Sequence, residues 1–224
     1  MKQRIKIIVF MMALAAVFGG AVTALQIAAR ETIQRNRNLQ EQRQLIRLFD
    51  LGNPDELTPK ECARLVEQQI VRDKTTLTDP ETGNTVGLIE AYSDPEHTSL
   101  KAYGLQFRGL GFWAPIEGIL AINPKGTRTL GLTILEQQET PGLGGRIEEK
   151  QYRGQFEVKL DITAPVDDAQ SYLTMASAEF EPAPGDRKFA AITGATQTSI
   201  AMERILNNAV ATFRRAENNP TIDQ

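Results

Sequence analysis

The apolar and polar positions of this chain fall into three regimes. Residues 7–29, IIVFMMALAAVFGGAVTALQIAA, are continuously apolar apart from Thr23 and Gln26. A transmembrane helix needs about 20 apolar residues, so the run is long enough to span a bilayer. Residues 30–50, RETIQRNRNLQEQRQLIRLFD, are polar with scattered Leu and Ile and read as a solvated helical stalk that GNP at 52–54 ends. Beyond it, Thr58, Pro59 and Glu61 supply an N-cap, an N1 proline and a capping-box glutamate for a helix over 59–72. From about residue 76 the period shortens. LTDPETGNTVGLIEAY holds a Pro/Gly turn between two strand-like pieces, and LKAYGLQF (100–107) and IEGILAI (116–122) read as strands. NPKG (123–126) is a turn joining 116–122 to the strand-like 127–138 as a hairpin. QFEVKLDI (155–162) alternates and predicts another strand, and 165–180 predicts a helix. In the last helix, expected over 199–215, Met202, Ile205, Leu206, Ala209 and Phe213 form one stripe.

Strands that follow one another between flanking helices predict an α+β fold with a twisted, mostly antiparallel sheet. The expected organisation is an anchor (1–29), a stalk (30–54), one domain (55–216) and a frayed tail (217–224). Lys2, Arg4 and Lys6 precede the span, whereas Arg30, Arg35, Arg37, Arg43 and Arg47 follow it. Long C-terminal domains cross largely regardless of flanking charge, so the expected orientation is N-in, C-out. The competing reading is a signal peptide cleaved near Ala-Val-Thr-Ala (21–24). The apolar run continues past that site, which favours an uncleaved anchor.

Composition narrows the chemistry. The 224 residues carry a formal net charge of −3, one Cys and one His. No basic excess points to nucleic acid. One Cys and one His exclude an intrachain disulfide and a Cys/His metal cluster. His97 lies in the polar turn SDPEHTS and reads as a surface loop residue, and Cys62 as a small core residue. No catalytic residue and no metal ligand is assigned.

Three Gly-rich stretches remain. GLGFWA (109–114) fits a loose nucleotide fingerprint, but Pro115 and a strand follow where that motif needs a helix. It reads instead as a tight loop with Trp113 tucked into the core or lying over a ligand. ETPGLGG (139–145) follows a strand, and Gly142, Gly144 and Gly145 permit close approach of backbone to a flat ligand, with Leu143 able to lean on it. TGATQTS (193–199) precedes the last helix. Gly194 and Ala195 remove bulk, the helix N-terminus favours an anion, and Thr193, Thr196, Thr198 and Ser199 supply hydroxyls. Thr198 or Ser199 as a simple helix cap explains the same residues, and both can hold.

Together with the N-terminal span, TGATQTS and ETPGLGG resemble the FMN-binding subunits of two redox-driven ion pumps. These pumps are the sodium-translocating NADH:quinone oxidoreductase and the Rnf electron-transport complex. GLGFWAPIEGILAI is closer to the former. The resemblance implies FMN joined by a phosphoester to Thr196, framed by Thr193, Gly194 and Ala195 with Thr198 and Ser199 behind. It places the Gly loop at 142–145 near the isoalloxazine ring and gives Glu139, Thr140, Gly142, Leu143 and Gly144 as cofactor-binding residues. It implies a flavin transferase as modifying partner, other subunits of a membrane redox complex as electron partners, and a domain outside the cytoplasmic membrane of a bacterium. The family's modification motif carries Asp three residues before its first Ser or Thr, and here that position is Ala190. The rival class is a non-redox extracytoplasmic binding module without covalent flavin.

Overall fold

The apolar run lies in one helix, α1 (Lys2–Leu48), of the computed structural model, which describes residues 2–166 and 171–218. The chain divides into two units, residues 1–42 and 43–224. In the first, the large apolar side chains from Ile5 to Ile27 are exposed. The Thr23 hydroxyl donates to the Gly19 carbonyl at 2.8 Å, which satisfies a polar group inside an apolar span. Glu31 and Arg35 pair at i,i+4 on the polar stretch that follows. This helix is long and apolar enough to cross a membrane and fits a single-pass anchor.

The second unit is α+β, as the pattern predicts. The helix α2 (Pro59–Gln69) has the predicted capping box, with Thr58 and Glu61 bonded reciprocally. It ends three residues before the predicted limit, because Ile70 is extended and opens the first strand. Five strands, β1 (Ile70–Thr78), β2 (Thr85–Tyr92), β3 (Leu100–Leu110), β4 (Pro115–Ile122) and β5 (Thr129–Glu136), form an antiparallel meander in chain order. A short helix, α3 (Lys150–Gly154), follows. Then come two short parallel strands, β6 (Thr174–Ala176) and β7 (Lys188–Ala190), and the long helix α4 (Thr196–Asn218).

Both faces of the sheet are covered. Ile116, Leu120 and Ile122 of β4 join Met202, Ile205 and Leu206 of α4 in one core. Ile119 and Ala121, pointing the other way, join Leu45, Phe49 and Ile70 in a second. Burial on both sides explains why β4 reads as a nearly continuous apolar run rather than an alternating one. The α4 stripe Met202, Ile205, Leu206, Ala209 and Phe213 is buried as predicted, and so is Cys62. His97 is exposed in a turn at φ 56°.

Two expectations fail for physical reasons. Residues 155–162 do not form a strand. Phe156, Leu160 and Ile162 are buried, so the alternation marks a real inward face. The ladder is interrupted by Lys159 at φ 68° and by the buried Thr129 hydroxyl. That hydroxyl donates to the Phe156 carbonyl at 2.7 Å and accepts the Leu160 N–H at 3.0 Å. The helix expected over 165–180 is also missing from the part that can be described. Residues 167–170 lie outside the described residues, and 171–180 are extended or bent apart from a turn at 178–179. Asn207 of α4 accepts the N–H groups of Tyr172 and Leu173, at 2.7 and 2.8 Å, and Glu203 accepts that of Met175 at 3.1 Å. Donors spent on α4 cannot serve a local helix.

The β1–β2 turn is tied to the C-terminal part of α4 by Asp79, 1% exposed, which accepts hydrogen bonds from the Thr82 hydroxyl, the Glu81 N–H and Arg215. Burial pushes this carboxyl up, but these donors outweigh it and hold it below the usual aspartate value. Its folded-state pKa lies below the unfolded value. The contribution is therefore complete above the unfolded value, about 3.9, and is lost as pH falls through the folded one. Asp79→Ala should destabilise the domain by roughly 1–3 kcal/mol at neutral pH. Urea unfolding at pH 7 and below 4 checks this: the gap between wild type and variant should narrow in acid.

Candidate functional site

The Gly loops of the sequence meet in space. After β5 the chain enters Glu139–Thr140, turns at Gly142 with φ 75°, and coils into a 3₁₀ helix over Gly144–Glu148. After β7 it turns at Gly194 with φ 78° and enters α4 at Thr196, three residues earlier than the stripe predicted. Both turns use backbone conformations that only glycine takes readily. A Cβ on Gly194 would lie 3.3 Å from Leu143 Cδ2, so the two loops touch there.

Between them is a cleft of about 400 Å³ lined by Phe112, Trp113, Glu139, Thr140, Leu143, Gly144 and residues 194–198. That volume is within the range of small-molecule sites. Larger cavities exist, including one of about 610 Å³ on the other side of the motif, lined by Tyr152, Gln155, Ala190 and Thr193 among others. The smaller cleft is the better candidate because it gathers both loops and the start of a long helix.

Most of the predicted site residues line this cleft: Glu139, Thr140, Leu143, Gly144, Gly194, Ala195, Thr196 and Thr198. Thr196 is exposed and is the first residue of α4. The N–H groups of that first turn have no acceptor within the helix, which suits an anion. Three residues do not line it. Thr193 faces the 610 Å³ cavity. Gly142 has open space around it and serves the turn. Ser199 is buried, accepts the Ile192 N–H at 2.9 Å and donates to the Ala195 carbonyl at 3.0 Å, which makes it a bridge across the helix entrance.

Phe112 and Gln197 line the cleft although sequence reasoning passed over them. Trp113 is not in the core: it is 67% exposed and packs edge-on against Phe112, with ring centroids 4.9 Å apart. The signal was present in GLGFWA, where two adjacent aromatics sit in a four-residue hairpin loop closed by Gly111 N–H to Ala114 carbonyl at 2.9 Å.

What joins these segments is Glu139, only 4% exposed. Its Oε1 accepts the N–H groups of Phe112 and Trp113 at 2.8 and 3.0 Å, and its Oε2 accepts the Thr198 hydroxyl at 2.7 Å. One carboxylate thus clamps the β3–β4 loop, the loop after β5 and the first turn of α4. Gly111 and Gly144 are required by that clamp. A Cβ on Gly111 would lie 2.5 Å from Glu139 Oε1, and one on Gly144 2.5 Å from Thr198 Oγ1 and 2.7 Å from Glu139 Oε2.

Ala190, at the position of the expected acid, is buried at the end of β7. Its N–H donates to Gln155 Oε1 at 2.5 Å, and its carbonyl accepts from Gln155 Nε2 at 3.4 Å. Asp186, the nearest acid upstream, accepts the Ala183 N–H within its own turn.

Residues 111–211 match the FMN-binding domain family. Two curated relatives are Na(+)-translocating NADH-quinone reductase subunits of the C type, NqrC. That of Pasteurella multocida is 42% identical over 60 residues, 27% of this chain and 23% of the relative. That of Chlamydia trachomatis is 30% identical over 128 residues, 52% of this chain and 40% of the relative. The matches thus span two-fifths or less of these relatives' length. The crystal structure of Shewanella oneidensis NqrC superposes with a TM-score of 0.60 at 18% identity, covering 81% of this chain and 96% of that one. The corresponding protein from Parabacteroides distasonis gives 0.59 at 20% identity, covering 83% and 95%. At these identities the two structures establish the fold.

Proposed function

We propose, for a chain whose residues 111–211 belong to the FMN-binding domain family, that it is a membrane-anchored flavoprotein subunit that passes electrons within a redox-driven, ion-translocating NADH:quinone oxidoreductase. FMN is the cofactor. The observation that carries this reading is the cleft in which Thr196, the glycine loop and an aromatic pair meet.

The residues present suit FMN. An exposed hydroxyl stands at a helix N-terminus, with Gly194 and Ala195 leaving room for a phosphate beside it. The helix end favours that phosphate by about 0.3–1 kcal/mol for an exposed site. Among the described residues that line the cleft none is a Lys or Arg, so no cationic side chain in the lining adds to this small term, which by itself cannot retain a cofactor. A phosphoester from Thr196 Oγ1 to the ribityl phosphate makes retention independent of it. A separate flavin transferase forms that bond, because a Thr hydroxyl is a weak nucleophile unaided. With a flavin dinucleotide as donor, Thr196 Oγ1 bonds to the flavin-side phosphorus, the P–O–P anhydride bond breaks, the nucleoside monophosphate leaves, and the hydroxyl proton passes to solvent. Leu143 and the Phe112–Trp113 pair offer apolar surface to the ring, while Glu139, Thr140, Thr198 and Ser199 hold the frame. Bound flavin supplies the redox chemistry, and the chain supplies position and electrostatic environment.

The anchor holds the C-terminal domain on the extracytoplasmic face, with Lys2, Arg4 and Lys6 inside. Electrons arrive from a partner subunit: the one nucleotide-like stretch, GLGFWA, is followed by Pro115 and β4 rather than by the helix that a dinucleotide site needs. The test uses full-length protein purified in detergent from cells that express a flavin transferase. The preparation should be yellow, and its intact mass should exceed that of the polypeptide by FMN less one water. It should bleach on addition of dithionite and recover in air. Colourless protein of unmodified mass, unable to take up added FMN, would favour a non-redox binding module.

A further inference from the structure

We infer that Glu139 is a potential-tuning residue, a fixed negative charge that holds the flavin of this cleft at a low reduction potential. The inference rests on the FMN reading above and deepens it.

Three observations carry it. Glu139 is almost fully buried, yet it is among the residues that line the cleft. The partners of its carboxylate oxygens are two backbone N–H groups and a hydroxyl, donors that an acceptor-only carboxylate uses fully. None of the residues lining the cleft is a Lys, Arg or His that would offset the charge. The clamp also fixes the carboxylate in place. Gly111 and Gly144 pack so close to its two oxygens that a Cβ on either would collide with them.

The physics follows from the sign of the charge. Reduction places electron density on the isoalloxazine ring, and a charge held nearby in a partly desolvated site acts through an effective dielectric far below that of water. A carboxylate there opposes that gain and favours the oxidised form. The same side chain orders the loop that bears Phe112 and Trp113, so its structural and electrostatic roles need separate readouts.

Glu139→Gln separates them. The glutamine oxygen can accept both backbone N–H groups, and its amide can donate to Thr198 Oγ1, so the clamp persists while the charge is removed. Thr198→Val is the counterpart: it removes one bond of the clamp and keeps the charge. The experiment is a spectroelectrochemical titration of the flavin in full-length wild type and both variants. Glu139→Gln should raise the ratio of reduced to oxidised flavin at a fixed potential by about tenfold. Thr198→Val should leave that ratio unchanged or lower it. An unmoved ratio in flavin-loaded Glu139→Gln overturns the inference and leaves the FMN reading intact. So does an equal rise in Thr198→Val, which would assign the effect to the clamp. If Glu139→Gln fails to fold, a rise in Thr198→Val overturns the inference, and an unchanged or lowered ratio supports it. Wild type that carries no flavin and binds none overturns both.

Discussion

Thr196→Ala is expected to give a folded chain that carries no covalent flavin. Co-expressed with a flavin transferase and run on a denaturing gel under ultraviolet light, wild type should fluoresce and the variant should be dark. Thr198→Ala should still fluoresce. The contrast is sharp because the two threonines differ in environment. Thr196 is exposed, so its loss should change stability by no more than about 0.5 kcal/mol. Thr198 is buried and donates to Glu139, so its loss should cost roughly 1–3 kcal/mol and leave the attachment atom in place. Fluorescence surviving Thr196→Ala would move the attachment site elsewhere. A dark wild-type band would trace to Ala190, where the related motif carries an acid. Added FMN would then distinguish noncovalent binding from a non-redox module.

Gly144→Val should be the most damaging single change in the cleft. A Cβ at this position would lie within 3.0 Å of both Thr198 Oγ1 and Glu139, and neither can retreat because each is buried in the clamp. Overpacking of this kind costs roughly 1–3 kcal/mol. Forcing the carboxylate away from Thr198 would also release the loop carrying Phe112 and Trp113. Lower urea midpoints and an altered flavin absorbance band are therefore expected together. Gly142→Ala is the control. Open space surrounds it, so its cost, about 1–2 kcal/mol, comes from its positive φ alone. Its flavin spectrum should remain that of wild type. Equal spectral effects in the two variants would reduce the loop to a turn with no bearing on the cofactor.

The sequence by itself determined the elements whose burial is periodic and local. The apolar span, the β4–β5 hairpin around NPKG, the α2 capping box and the α4 stripe all follow from patterns local in the chain. It also put forward Thr196, Gly194, Ala195 and the glycine loop as candidates, because motif residues are contiguous, and the fold brings these segments to one cleft. Only the tertiary structure decided the fate of 155–162 and 171–180. The alternation in 155–162 names an inward face correctly, but the buried Thr129 hydroxyl takes backbone groups that a ladder would need, and Asn207 and Glu203 take those that a helix over 171–180 would need. Only it decided that Thr198 faces a carboxylate 59 residues away in sequence, and that Trp113 is at the rim of a cleft rather than in a core. Hydrophobic periodicity records which face a residue turns inward. It carries no information about which distant donor meets which acceptor, and at this cleft that pairing, through Glu139, sets both the shape and the charge.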